Sequence, residues 1–155
     1  MPLQRHPALI PLSREHHAAL VLARAIQLDG SAQLRAKLPR EPRALVSHVT
    51  KVYAEALAPH FEAEDELVLV AARGRSPALD AICQDIEDDH VQLRAMIAEL
   101  RAPELAESQI GSLLDRFGKL LEAHVRKEER SLYEGVQRAL DESELVALGA
   151  RLASR

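Results

Sequence analysis

Apolar residues recur at spacings of three and four residues along four long segments of the chain. Because 3.6 residues make one helical turn, this spacing predicts helices that each bury one side. The connections between the segments are short, which predicts that neighbouring helices run antiparallel. The sequence therefore predicts an all-α fold, an antiparallel four-helix bundle with a short C-terminal extra helix. We expect one domain over residues 1–155, with its core at about 12–140.

Glycine, proline and capping residues predict where the helices begin and end. Ser13 is the expected N-cap of the first helix, which runs to about residue 28, and the second helix is expected over about 42–73. Ser76 followed by Pro77 predicts the start of the third helix, and the fourth is expected over about 105–140. Asp141 with Glu144 predicts a capping box for the short last helix. Pro59 lies inside the second helix and is expected to kink it.

Composition excludes several classes of protein. Aromatic residues make up 3% of the chain and Ala, Leu, Glu and Arg are abundant, which disfavours a β fold. The lone Cys83 excludes a disulfide framework and a Cys-based zinc finger. A net charge of −4 argues against a general nucleic-acid binder, and no apolar run reaches membrane-spanning length. The first residues lack a secretory signal pattern, so we expect a cytoplasmic protein without a membrane partner.

Each long helix carries one histidine on its apolar side. His60 and His124 are each followed four residues later by a glutamate, Glu64 and Glu128, which lies one turn further on the same face. His90 lies on the stripe of the third helix. The first helix offers adjacent His16 and His17. Their apolar neighbours predict that His16 is the buried one, although a small rotation of the helix would exchange them.

Four inward imidazoles and two inward carboxylates form a ligand set for metal ions. A carboxylate on an apolar face is costly unless it is paired or bound to a metal. Imidazole with carboxylate suits iron, manganese or zinc. Chance alone gives about one His–acid pair at this spacing in such a composition, and the chain has two. Hydrogen-bonded core histidines and surface ion pairs are the alternatives. The coincidence of one inward histidine per helix favours metal.

The remaining polar candidates are expected outside the site. We expect the acids of Glu87, Asp88 and Asp89, and those around Glu64, to be mostly outward and solvated. Among them Glu87 lies three residues before His90, so it is the acid nearest to that histidine's face of the helix. Cys83 is expected to be a small buried apolar residue.

At these residues the sequence resembles the hemerythrin-like family, also called HHE cation-binding domains. The matching segments cover about residues 12–140, and they are SREHHAALVLA, PHFEAEDELV, EDDHVQLRAMI and EAHVRKEERSLYE. The resemblance implies a four-helix bundle whose core holds a non-haem di-iron centre of two iron ions, with zinc or manganese as substitutes. It further implies terminal imidazole ligands and bridging carboxylates. The implied ligands are His16, His60, His90 and His124, bridged by Glu64 and Glu128.

Two departures separate this chain from the oxygen-carrying members of that family. Those carriers have a second histidine in the third helix, where this chain has Ile86 and Arg94 four residues before and after His90. They also have an aspartate five residues after the last histidine, where this chain has Glu128 four residues after His124. Fewer imidazoles leave an extra coordination position for water, O₂, NO or peroxide.

The resemblance thus implies a protein that binds or responds to O₂, NO or peroxide, in oxygen or redox sensing or in iron handling. Its ligand would be a small diatomic molecule or peroxide at the metal, with a protein partner or homodimer to pass on a signal and no nucleic acid. One alternative is a di-iron oxidase- or peroxidase-like enzyme. Ferritin-like sites use two ExxH motifs, and this chain has one, from Glu87 to His90. A zinc-stabilised or metal-free structural bundle is the other alternative.

Overall fold

The computed structural model describes residues 3–155, and none of them forms a β-strand. Four long helices run antiparallel to their neighbours, a single turn lies in the first connection, and a final helix packs against the second long helix. The helices are α1 (Ile10–Ile26), α2 (Ala32–Arg35), α3 (residues 42–72), α4 (Pro77–Arg101), α5 (residues 107–139) and α6 (Glu142–Ala153). The bundle and its extra C-terminal helix are those expected from the sequence.

Most helix starts follow the predicted capping chemistry. The Ser76 hydroxyl accepts a hydrogen bond from the backbone N–H of Leu79 at 3.1 Å, and Asp141 and Glu144 form the capping box of α6. The prediction for Ser13 was wrong. The N-cap lies four residues earlier, at Leu9, and α1 begins at Ile10, where Pro11 occupies the first turn and no side chain caps the helix. Proline suits that turn because its missing N–H has no helical partner there.

Pro59 does not end α3, because a wide turn precedes it. The backbone N–H of Ala58 bonds to the carbonyl of Tyr53, five residues back, which makes residues 53–57 a π-turn. The extra residue in this turn rotates the following part of α3, so its side chains face other directions than in a regular α-helix. A regular α-helix would place Ala56 on the face of His60, four residues later, but Ala56 is exposed and Leu57 occupies the buried position instead.

Two further π-turns begin at the glutamates of the two HxxxE pairs. The carbonyl of Glu64 accepts from the N–H of Leu69, and that of Glu128 accepts from Tyr133. π-turns inside α-helices occur frequently at functional sites. Both glutamates thus stand where their helix changes its hydrogen-bonding register.

The core consists of two hydrophobic clusters on either side of a polar layer. On α3, Leu57 and Phe61 belong to the first cluster, and Val68 and Leu69 belong to the second. The other long helices divide in the same way, so the inward histidines and glutamates lie at one level between two apolar regions. This placement shields their charges from water on both sides.

The helices α1 and α5, which both carry residues of that layer, approach each other closely at Gly118. A Cβ atom at Gly118 would lie 2.6 Å from the backbone carbonyl oxygen of Ala23, so only glycine fits there. Glycine weakens a helix interior, but at Gly118 it permits this tight packing. No helix within residues 3–155 combines the length and the apolar character that crossing a membrane requires.

Candidate metal centre

The structure brings together all six side chains that the sequence singled out. Each is at most 3% exposed. They form two groups of four, and within each group one nitrogen or oxygen atom per residue lies within 4.8 Å of the others. Both groups contain Glu64 and Glu128; the first adds His16 and His60, and the second adds His90 and His124. Such compact sets of imidazole and carboxylate suit two neighbouring metal ions.

The carboxylate of Glu128 divides between the two groups. Its Oε2 lies 2.7 Å from His16 Nε2 and 3.8 Å from His60 Nε2. Its Oε1 lies 2.5 Å from His124 Nε2 and 3.6 Å from His90 Nε2. One oxygen therefore faces each pair of histidines, which is the arrangement that a bridging carboxylate requires.

Each histidine turns its other ring nitrogen, Nδ1, to a carboxylate outside the cluster. These hydrogen bonds fix the ring orientation and leave Nε2 facing the centre. The four pairs are His16 with Glu129 (2.7 Å), His60 with Glu15 (2.6 Å), His90 with Asp65 (2.7 Å) and His124 with Asp89 (3.2 Å).

The four outer carboxylates connect the helices in a closed cycle. Each follows or precedes an inner residue in the sequence and accepts from the histidine of another helix. Glu15 on α1 serves α3, Asp65 on α3 serves α4, Asp89 on α4 serves α5, and Glu129 on α5 serves α1. Neighbouring positions on a helix point about 100° apart, so an acid beside an inward residue reaches the adjacent helix.

The prediction that the acids around these motifs are solvated was wrong for Asp65 and Asp89. Asp89 is 7% exposed, and Asp65 is half-buried against His90. The adjacency of an acid to four of the six inner residues is the sequence signal that would have indicated them. Glu87 is exposed and pairs with Arg73, so it lies outside the site.

Every outer carboxylate also pairs with a cationic side chain. The charges of the outer carboxylates are therefore balanced, whereas the inner Glu64 and Glu128 have no Lys or Arg partner among residues 3–155. The four outer ion pairs are Arg5–Glu129 (2.7 Å), Arg155–Glu15 (2.5 Å), Arg94–Asp65 (2.7 Å) and Lys127–Asp89 (2.9 Å).

The two inner carboxylates make the cluster attract positive charge. Burial lowers the pKa of His60, but Glu64, Glu128 and Glu15 outweigh it and raise that pKa to about 12. Burial likewise lowers the pKa of His16, and Glu128 and Glu129 raise it to about 9. Without metal, protons on the histidines therefore balance the negative charge of the buried carboxylates. A bound metal ion would displace these protons.

The inner atoms fit a cation better than they fit one another. His16 Nε2 and His60 Nε2 lie 3.1 Å apart, and since each ring gives its Nδ1 proton to a carboxylate, neutral rings would face each other with two lone pairs. Seven buried side-chain atoms in the described chain lack an aligned hydrogen-bond partner, and five of these belong to the cluster, although some of the five lie within ion-pair distance of one another. The five are Glu64 Oε1, His90 Nε2, His124 Nε2 and both carboxylate oxygens of Glu128. Metal ions would satisfy them.

Tyr133 is a site residue that the sequence reasoning missed. Its buried hydroxyl donates to Glu64 Oε2 at 2.8 Å, and its ring stacks on that of His16 with a centroid distance of 5.5 Å. Burial raises the pKa of this phenol well above its usual range, so it stays a donor. It lies five residues after Glu128, and the π-turn brings it inward, which the helical pattern alone did not show.

The remaining histidine and cysteine candidates lie outside the cluster. His17 is exposed, so the adjacent His16 is the buried member of the pair, as the pattern predicted. His48 is half-buried, one of the polar residues on the early part of α3. Cys83 is free and fully buried in the second hydrophobic cluster, as expected.

Comparison with known proteins identifies one family. The family model described as the hemerythrin HHE cation binding domain matches residues 9–136, which include all six inner residues. No curated protein and no solved structure matched the chain.

Proposed function

Because this chain belongs to the hemerythrin HHE cation-binding family, we propose that its six inner side chains bind two iron ions. His16 and His60 would hold one ion, and His90 and His124 would hold the other. Glu64 and Glu128 would bridge them. The division of the Glu128 oxygens between the two histidine pairs supports this assignment.

The orientation of the four histidine rings gives this proposal its strongest support. All four Nδ1 atoms are engaged by outer carboxylates, so all four Nε2 atoms converge on the two buried glutamates. In a core that served packing alone, these buried atoms would be expected to have aligned hydrogen-bond partners, and several of them have none. Carboxylate-supported imidazoles are the usual surroundings of protein-bound metals.

We further propose that the protein binds or responds to O₂, NO or peroxide. Each group offers four protein atoms, and an ion that prefers six ligands keeps two positions for small molecules. Bound iron supplies the redox chemistry with such ligands. The chain itself supplies the apolar shell, in which Phe61 stacks on His90 at 4.5 Å and meets His124 edge-on.

Oxygen or redox sensing and iron handling both suit a small bundle whose site binds a ligand and whose signal passes to a protein partner. We also propose a single domain and a cytoplasmic location, which the one free, buried cysteine supports.

Anaerobic loading with Fe(II) followed by exposure to air tests this function. We expect a new absorption band in the near ultraviolet after air exposure, and a distinct visible change when NO is added to the reduced protein. A His124→Ala variant should lose these changes, because it removes a proposed ligand, whereas the exposed His17→Ala should retain them. Bands of full strength in His124→Ala would contradict the assignment. Sustained peroxide consumption would favour the enzymatic alternative over sensing.

A further inference from the structure

A cavity of about 310 Å³ lies against one side of the inner cluster, between α1, α3 and α5. Its floor is formed by His16, His60, His124 and Glu128. Neither Glu64 nor His90 lines it, so the cavity meets the cluster from one side only. A molecule in this cavity would lie directly beside the proposed metal ions.

The walls of the cavity are apolar. Five of the lining residues are buried aliphatic or aromatic side chains, Ala19, Leu57, Phe61, Leu121 and Val125. The π-turn over residues 53–57 forms part of the α3 wall, so the local departure from α-helix borders this space. Apolar walls with a few convergent polar groups are typical of sites for small organic ligands.

The cavity is much larger than a diatomic ligand needs. A water molecule, close to O₂ or NO in size, takes up about 30 Å³ in the liquid, and a cavity of about 150 Å³ lined by apolar side chains binds benzene. At about 310 Å³, this cavity has room for a six-membered ring with a short substituent as well as a small ligand at the metal.

Charges at the mouth disfavour an anionic occupant. Glu15 and Arg155 form an ion pair there and cancel each other. Glu55 is exposed at the same rim and has no ion-pair partner within residues 3–155, so it repels anions. Between the rim and the polar floor, a charged group of either sign would lie against apolar walls at a high desolvation cost.

We propose that this cavity binds a small, uncharged ring compound beside the inner cluster. The binding goes beyond the proposed response to O₂, NO or peroxide, and it requires only the cavity. If both proposals hold, the protein places an organic molecule next to its metal ions. The cavity can fail to bind while the metal site holds, and the two results are measured separately.

Calorimetric titration with benzyl alcohol and with benzoate tests the proposal on the protein as purified, with its metal content measured in each sample. The two probes share one ring and differ in charge. We expect benzyl alcohol to bind at one site per chain and about tenfold more tightly than benzoate. Equal or tighter binding of benzoate would overturn the proposal, because recognition would then come from the metal or the imidazoles. Absence of benzyl alcohol binding would overturn it as well.

Two alanines on the same π-turn provide a matched pair of variants. Ala56 lines the mouth and Ala54 does not, and both are exposed, so tryptophan at either position leaves the core unchanged. Ala56→Trp should weaken benzyl alcohol binding at least about tenfold, whereas Ala54→Trp should change it less than about twofold. Equal effects of the two variants, or none, would contradict the location. Unchanged metal content in both would separate this result from the metal proposal.

Discussion

Asp89 offers the sharpest test of the outer carboxylates. It accepts hydrogen bonds from His124 Nδ1 at 3.2 Å and from Lys127 Nζ at 2.9 Å, and it is 7% exposed. Asp89→Asn keeps the shape and a hydrogen-bond acceptor but removes the negative charge that supports the imidazole. Loss of such an outer partner typically weakens metal binding about 10- to 100-fold, or about 1.4 to 2.7 kcal/mol.

We expect Asp89→Asn to weaken metal binding about tenfold, near the lower end of that range. The hydrogen bond from His124 to Asp89 is the longest of the four, and the oxygen of the asparagine would still accept it. Competition with a chelator of known affinity under anaerobic conditions measures the change. Asp88→Asn is the matched control, since Asp88 is exposed and its carboxylate accepts a hydrogen bond from the amide of Gln84 rather than from a histidine. An affinity of Asp89→Asn within about twofold of the native value would refute the reasoning.

Three further predictions follow from the packing and charges of the site. In metal-free protein the folded state keeps the proton of His16 up to about pH 9, whereas the unfolded chain releases it near pH 6.5. His16 alone should therefore make the free energy of unfolding fall by up to about 3 kcal/mol between these pH values, and His60, whose pKa is raised further, adds to this fall. Urea titrations in the presence of chelator measure it, and a rise would contradict the assignment. Tyr133→Phe should cost about 1 to 3 kcal/mol in the same assay, because Glu64 Oε2 loses its buried donor, and an unchanged midpoint would count against that bond. Gly118→Ala should destabilise by about 1 to 3 kcal/mol through its clash with α1, whereas Gly111→Ala, in open space, should gain up to about 1 kcal/mol; equal effects would show that the helices do not pack this closely.

The sequence predicted the bundle because long helices with one apolar side have few ways to bury that side. It also predicted the inward direction of His60, His90 and His124, since each lies among apolar residues at helical spacing. These features depend on local periodicity, which a single sequence shows directly. The family model then confirmed the relationship that the motifs indicated.

Features that depend on contacts between helices or on local register were missed. The π-turn before Pro59 moved Ala56 outward and Leu57 inward, and no sequence pattern gives the register of such a turn. Asp65 and Asp89 lie in acidic runs that are typical of solvated helix faces. Their role as hydrogen-bond acceptors depends on a histidine of another helix, which local sequence does not show. Tyr133 was missed because the π-turn that begins at Glu128 brings it inward.

The number of Fe(II) ions bound per chain tests the central claim most directly. Anaerobic titration followed by removal of free metal and elemental analysis gives this number. The convergence of four imidazoles on two shared carboxylates predicts two ions per chain in the native protein. A protein that retains one ion or none, while it remains folded, would contradict a centre built from these six residues.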